Sequence, residues 1–340
     1  MQLTLVVPGP LDWPKPVLGS VDPHVPVLSR LLAASDSAAI ENDGLLASAC
    51  RICAIARQGD WPVAPSLARA AGIDPGRAYW LCAEPATMIV GKDDVRLSGL
   101  VGDLARSDAE ALVGALNAHF ASDHVRFFAP TPAHWFVRVE TAQQLSTRPP
   151  EAALGAPLFA FLPTGPDAPR WRRWQNEMQM LLFDHAVNRR RKQECLAPVN
   201  SIWLWGGGTD QARRAPSTAV FADQGSFRDL ARGSGVAVAP VPTDLGGLPD
   251  AGTAAVWLGA IDAGDALARL AAIDRAWIAP VERALNAGRM REVEVIFGGR
   301  ERALRLTARQ PSFARRLRVR FSSPRFSRLL SGFASGDGPT

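Results

Sequence analysis

No run in this chain approaches the roughly 20 consecutive apolar residues of a membrane span, which argues against a transmembrane helix. Cysteine is scarce as well. Four cysteines in 340 residues, with no evident pairing pattern, argue against a disulfide-stapled secreted protein. The N-terminus, Met1 to Pro8, lacks the basic start and long apolar segment of a signal peptide. A cytoplasmic protein is expected. Acidic residues nearly vanish near the C-terminus, where ten arginines and one acid, Glu301, lie between Arg300 and Arg328. Such an end could meet an acidic partner. No aromatic or glycine pattern of a nucleic-acid module accompanies it, which argues against nucleic acid.

What is present reads as globular: 47% hydrophobic and 21% charged residues, in enough chain for one large domain or two modest ones. Leu3 to Val7, stopped by Pro8-Gly9-Pro10, predicts a first buried strand. Helices are expected over 26–34 and 44–56. The second contains Cys50-Arg51-Ile52-Cys53, which lacks the second pair that zinc would want and the preceding strand that a redox site would want. Small buried thiols are expected there. A strand over 78–90, an amphipathic helix over 108–120 and strands at 125–128 and 134–139 suggest a small α+β unit with an antiparallel sheet. After a proline-rich crossing, a single helix is predicted from about 169 to 191. Beyond Trp203, apolar runs alternate with helical ones (218–222, 227–231, 254–261, 265–286), the mark of βα units around a parallel sheet, and 293–306 closes with a hairpin.

Two stretches stand out. Asn200-Ser201-Ile202-Trp203-Leu204-Trp205-Gly206-Gly207-Gly208 reads as a buried strand running into a glycine loop, either a ligand cradle at a strand end or a plain strand and turn. On the preceding helix, His185 continues an apolar stripe, with Asn188 and Arg191 each about 60° further round. Arginines there could grip a phosphate or carboxylate, or could simply answer the dipole of a helix C-terminus.

Together these stretches resemble the archaeal-type cofactor-independent phosphoglycerate mutases. The likeness is carried by His185-x-x-Asn188-x-x-Arg191 and Pro198-Val199-Asn200-Ser201-Ile202-Trp203-Leu204-Trp205-Gly206-x-Gly208. Upstream, the helix from Asp108 to Phe120 and the crossing from Leu154-Gly155 to Leu162-Pro163-x-Gly165 agree in order. The likeness covers about residues 78–208, and within it bacterial RpfE-type regulatory proteins are the more specific match. The resemblance implies an α/β fold: an alkaline-phosphatase-like core with a parallel sheet flanked by helices, formed by 1–77 and 198–312. A smaller α+β substrate-type domain, 78–197, would be inserted into it, and 313–340 would form the arginine-rich tail. Active mutases of this type use two metal ions at strand ends, a serine that takes the phosphoryl group and basic residues that hold the phosphoglycerate.

The departures concern chemistry. The family's first strand ends in an Asp-Gly metal pair; this chain has Pro8-Gly9. No serine follows in the nucleophile's pattern. The histidine- and acid-rich strand end appears as Trp257 to Asp265, leaving Asp262 and Asp265 as metal candidates, with Asp12 and Asp22 behind them. All five histidines lie at or before residue 185, so the C-terminal Asp-His pair is absent. Leu81-Cys82-Ala83 and His134-Trp135-Phe136 replace substrate-binding runs of the family. The expected ligand-binding residues are His185, Asn188, Arg191, Asn200, Gly206 and Gly208, with Arg138 as a stand-in. The expected protein is a catalytically degenerate relative without a cofactor, regulatory or ligand-binding, its ligand a phosphorylated or carboxylated metabolite. The alternative is an active phosphoglycerate mutase or phosphotransferase using manganese through rearranged ligands.

Overall fold

The structure is a computed structural model and describes residues 1–310 except 13, 14, 34, 36, 42, 93, 212–217, 224, 262 and 263. The tail expected over 313–340 and Asp262 therefore lie outside the described residues. Strands follow in chain order as β1 (Gln2–Pro8), β2 (Ser37–Glu41), β3 (Tyr79–Val90), β4 (Val95–Leu100), β5 (Val125–Phe128), β6 (Phe136–Val139), β7 (Ser201–Thr209), β8 (Thr218–Ala222), β9 (Val238–Ala239), β10 (Thr253–Trp257), β11 (Glu292–Gly298) and β12 (Ala303–Arg309). They form two compact units. The first holds Met1–Cys53, Ala215–Ala231 and the chain from Gly235 on; the second holds Ala54–Arg214 and Arg232–Ser234.

The first unit is α/β. Its seven-stranded sheet runs β2-β12-β11-β1-β10-β8-β9. β1 lies at its centre, parallel to β10 and β11, while β12 and β2 add antiparallel at one edge. Leu3, Leu5 and Val7 point to one face at period two and meet Leu28, Leu270, Trp277, Ile278 and Val281 from flanking helices. The run from 265 to 286, expected as one helix, divides into Ala266–Ile273, a π-helical turn Asp274–Ile278 and Ala279–Asn286. Pro280 explains the irregular turn, because it has no N–H to return to the preceding turn. Asp274 turns its carboxylate on the exposed amides of the helix Pro26–Ala33, accepting from Val27 N at 3.1 Å and Leu28 N at 2.6 Å.

The second unit is α+β. Its sheet runs β4-β3-β6-β5, with β7 also paired to β3. Tyr79, Leu81, Ala83, Val125, Phe127, Val137 and Leu204 face the helices Arg106–His119 and Ala168–Phe183, where Leu112, Leu116, Trp171, Trp174 and Met178 complete a core. At the exposed edge of the sheet, the Asn117 amide covers Phe127: Phe127 N donates to Asn117 Oδ1 at 2.7 Å, and Asn117 Nδ2 donates to Phe127 O at 3.0 Å. This blunts an edge that could otherwise pair with another chain.

Here the boundaries expected at 78 and 197 move outward. β7 pairs with β3 from Ala86↔Ser201 to Tyr79↔Thr209, so 198–214 belongs to the second unit and not to the first. Residues 54–77 follow, because the helix Ala64–Ala70 packs on β3 and β7. Among the described residues, no helix is long and apolar enough to cross a membrane. Cys50 and Cys53 are both buried.

Candidate functional site

The tryptophan-glycine stretch is strand β7, and its glycines serve chain packing. Gly206 N donates to Thr147 Oγ1 at 3.0 Å, and Gly207 N donates to Asp60 Oδ2 at 3.3 Å. Asp60 is buried and also accepts from Trp61 N, Thr147 N and the Thr147 hydroxyl. Burial still raises its pKa, against the pull of those donors. Gly206 sits at φ +71, where the pairing register with β3 shifts, and a Cβ there would come 2.5 Å from Val63 Cγ2. A Cβ on Gly208 would come 2.3 Å from Pro62 Cβ. The amides that would have cradled a ligand are turned on Asp60 and Thr147.

The helix-end residues meet a similar fate. The helix expected from 169 to 191 ends at Phe183, and a second one runs Ala186–Gln193. His185 is extended between them and caps the second helix, its Nδ1 accepting from Val187 N at 3.2 Å. The expected arc through His185, Asn188 and Arg191 is therefore broken. Asn188 is buried and donates to Leu182 O and Val199 O, both at 2.7 Å, while accepting from Val199 N at 2.9 Å. Arg191, 1% exposed, donates to Ala197 O at 2.8 Å and to Asp103 Oδ1 at 2.6 Å. Asn200 brackets Met88, accepting from its N–H at 2.7 Å and donating to its carbonyl at 2.8 Å. Each of these polar groups already has protein partners.

Arg138 differs from the other expected ligand residues. It lines an open groove of about 450 Å³ together with Asn117, Ala121, His124, Val125, Arg126 and Glu140. Arg126 and Arg138 stand directly opposite each other across β5 and β6, on the same face. Glu140 pairs with Arg138 at 2.6 Å. Arg126 lies over the Phe128 ring, its guanidinium carbon 5.2 Å from the centroid.

The same face carries a second polar centre. Continuing the antiparallel register from Cys82↔Phe136, Glu84 falls opposite His134. His134 Nδ1 lies 3.4 Å from Glu84 Oε2. Glu84 is 5% exposed, and burial raises its pKa more than His134 and the Trp205 indole lower it. Glu84 Oε2 and the buried Trp205 Nε1 both lack a hydrogen bond of good geometry. Sequence reasoning passed over Glu84, although a lone acid within the apolar run from Tyr79 to Val90 is a legible signal. It also passed over His124 and Arg126, whose significance depends on strand pairing.

In the first unit, the end of β1 is closed by its own backbone. Ile261 N donates to Pro8 O at 3.3 Å, and Gly9 N donates to Gly298 O at 2.9 Å. A Cβ on Gly9 would come 2.7 Å from Ile261 O. Asp12 accepts from Arg300 N at 3.0 Å. Asp265 stands at the start of the helix Ala266–Ile273 and does not cap it with its side chain, and Asp22 opens a 3-10 turn. Among the described residues, no three His, Cys, Asp or Glu side chains converge as a metal site. Among the described residues, which do not include Asp262, no donor set fits the two-metal chemistry implied by the resemblance.

No family model matches the chain. A stretch of 143 residues, 40% of the chain, is 29% identical to a probable 2,3-bisphosphoglycerate-independent phosphoglycerate mutase of Geobacter sulfurreducens and covers 35% of that protein. The corresponding mutase of Methanosarcina mazei is 26% identical over 32% of the chain and 28% of its own length. Over these stretches the chain is a distant homologue of cofactor-independent phosphoglycerate mutases. The matches span about a third of those relatives or less. Among solved structures, the cofactor-independent phosphoglycerate mutase of Thermoplasma acidophilum aligns over 99% of both chains at 17% identity, with a TM-score of 0.46.

Proposed function

We propose that this chain is a catalytically degenerate relative of the phosphoglycerate mutases, of the RpfE regulatory type, that works by binding a small phosphorylated or carboxylated metabolite. The observation that carries the reading is the closure of β1. Where an active relative would present an Asp-Gly metal pair, Pro8 offers only a carbonyl, and that carbonyl accepts from Ile261 N. A divalent metal that neutralises a transferred phosphoryl group needs several carboxylate or imidazole ligands at such a strand end. Backbone that bonds to itself does not supply them.

The test is a mutase assay with 3-phosphoglycerate and manganese, run beside calorimetry with the same compound. Binding without turnover is the expected result. Metal-dependent turnover that disappears in Asp262→Asn would overturn the reading in favour of a phosphotransferase with rearranged ligands. Absence of both binding and turnover would remove the ligand-binding part of it. The acidic partner expected for the arginine-rich end is a separate proposal, tested by loss of partner capture on truncation after Pro311.

A further inference from the structure

We infer that the groove between His124, Arg126 and Arg138 is an anion-binding site for a small phosphate- or carboxylate-bearing molecule, and that Glu140 occupies it when no ligand is bound. The inference rests on the reading that the chain binds such a molecule, and it names where and how.

Like charges directly opposite each other on paired strands repel, so a cross-strand arginine pair is a stability cost unless a negative group lies between them. Arg126 and Arg138 are such a pair. Glu140 answers Arg138 at 2.6 Å, with its own side chain 60% exposed. Among the described residues, Arg126 is shown with no carboxylate partner; its guanidinium is laid over Phe128. His124, held in a left-handed turn at φ 55 just before β5, brings a third nitrogen-bearing side chain to the same groove. The local balance is two permanent positive charges and an ionisable imidazole against one acid.

A guanidinium presents a planar fork that matches a carboxylate or phosphate with two parallel N–H donors. Stacking on Phe128 restricts where the Arg126 fork points and so reduces the ordering needed on binding. The groove, at about 450 Å³, is within the size range of pockets for small organic ligands. Its floor is sheet and its rim is the turn after the helix Arg106–His119, so the arginines project from a rigid base. Glu140, exposed to solvent, is the group a ligand anion would displace from Arg138.

The experiment is calorimetry on the full chain at low salt, with inorganic phosphate and succinate as probes. Binding of either probe is expected, and the tighter of the two identifies the preferred group. Arg126→Met should weaken binding about tenfold. Arg126→Lys should weaken it nearly as much, because the charge is kept and the fork is lost. Glu140→Gln should tighten binding several-fold by removing the competing carboxylate. Arg173→Gln, on an exposed helix face of the same unit, should change nothing. Circular dichroism of each variant checks that the fold is kept. No binding of either probe, or equal affinity in the wild type and Arg126→Lys, overturns the site. Manganese-dependent mutase activity would instead overturn the functional reading and leave these isotherms interpretable.

Discussion

Asn188 holds Val199 by both ends of its backbone: Oδ1 accepts the Val199 N–H at 2.9 Å, and Nδ2 donates to the Val199 carbonyl at 2.7 Å. The side chain acts as a strand partner for a residue just before β7. It also takes the Leu182 carbonyl at the end of the preceding helix, at 2.7 Å. Removing it leaves the Val199 N–H and carbonyl without a partner, each worth about 1–3 kcal/mol, and takes one bond from the Leu182 carbonyl, which still accepts from His185 N. Asn188→Ala should therefore lower stability by about 3 kcal/mol in urea titrations. A loss below about 1 kcal/mol would mean that water reaches these groups.

Arg191 permits a direct contest between two roles. Its guanidinium is enclosed and bonded to Ala197 O and Asp103, so Arg191→Ala should destabilise the fold by about 2–3 kcal/mol. Binding of 3-phosphoglycerate by the folded fraction should be unchanged. Intact stability with lost binding would restore Arg191 as a ligand residue.

Much of the fold is legible in the sequence because it is periodic. Leu3, Leu5 and Val7 reveal a strand, and Leu112, Val113 and Leu116 reveal a helix face, from spacing alone. The limit between the units is not legible in this way. It depends on the pairing of β7 with β3, more than a hundred residues away, and a strand does not announce its neighbour. The site follows the same rule. The sequence pointed to Asn188 and Arg191 by type and spacing, but their partners, Val199 and Asp103, are set by packing. Arg126 carried no signal until its strand was placed beside that of Arg138.

His185 should give stability a pH dependence. Burial first, and the Arg189 charge second, lower its pKa below the ordinary 6.5, and its unprotonated Nδ1 accepts the Val187 N–H. The neutral ring is favoured in the folded chain. Its contribution is present above pH 6.5 and is lost as pH falls through the lowered folded value. His185→Asn retains a capping oxygen and cannot titrate, so it should flatten this part of the pH–stability curve. An unchanged slope between the two proteins would show that the cap does not titrate.

Gly208→Ala tests the close approach of β7 to the segment before the helix Ala64–Ala70. The added Cβ would meet Pro62 Cβ at 2.3 Å, so the chain must shift. Overpacking of this kind costs about 1–3 kcal/mol. A thermal melt should show the loss, and anion binding at Arg126 should survive it. A neutral substitution would mean that the two segments separate readily in solution.

Glu84 is the acid whose removal should help. Burial raises its pKa above 4.5, so the folded chain holds its proton more tightly than the unfolded chain does. Its contribution to stability is fully present below pH 4.5 and is lost as pH rises through the raised folded value, where a buried charge has to form. Glu84→Gln removes that loss and leaves a neutral group of similar shape beside His134 and Trp205. The variant should match the wild type near pH 4 and exceed it at pH 8. Urea titrations at the two pH values measure the difference directly. An advantage of equal size at both would place the cause in packing, and a deficit at pH 8 would show that the charged carboxylate is wanted there, held by the His134 imidazole 3.4 Å away.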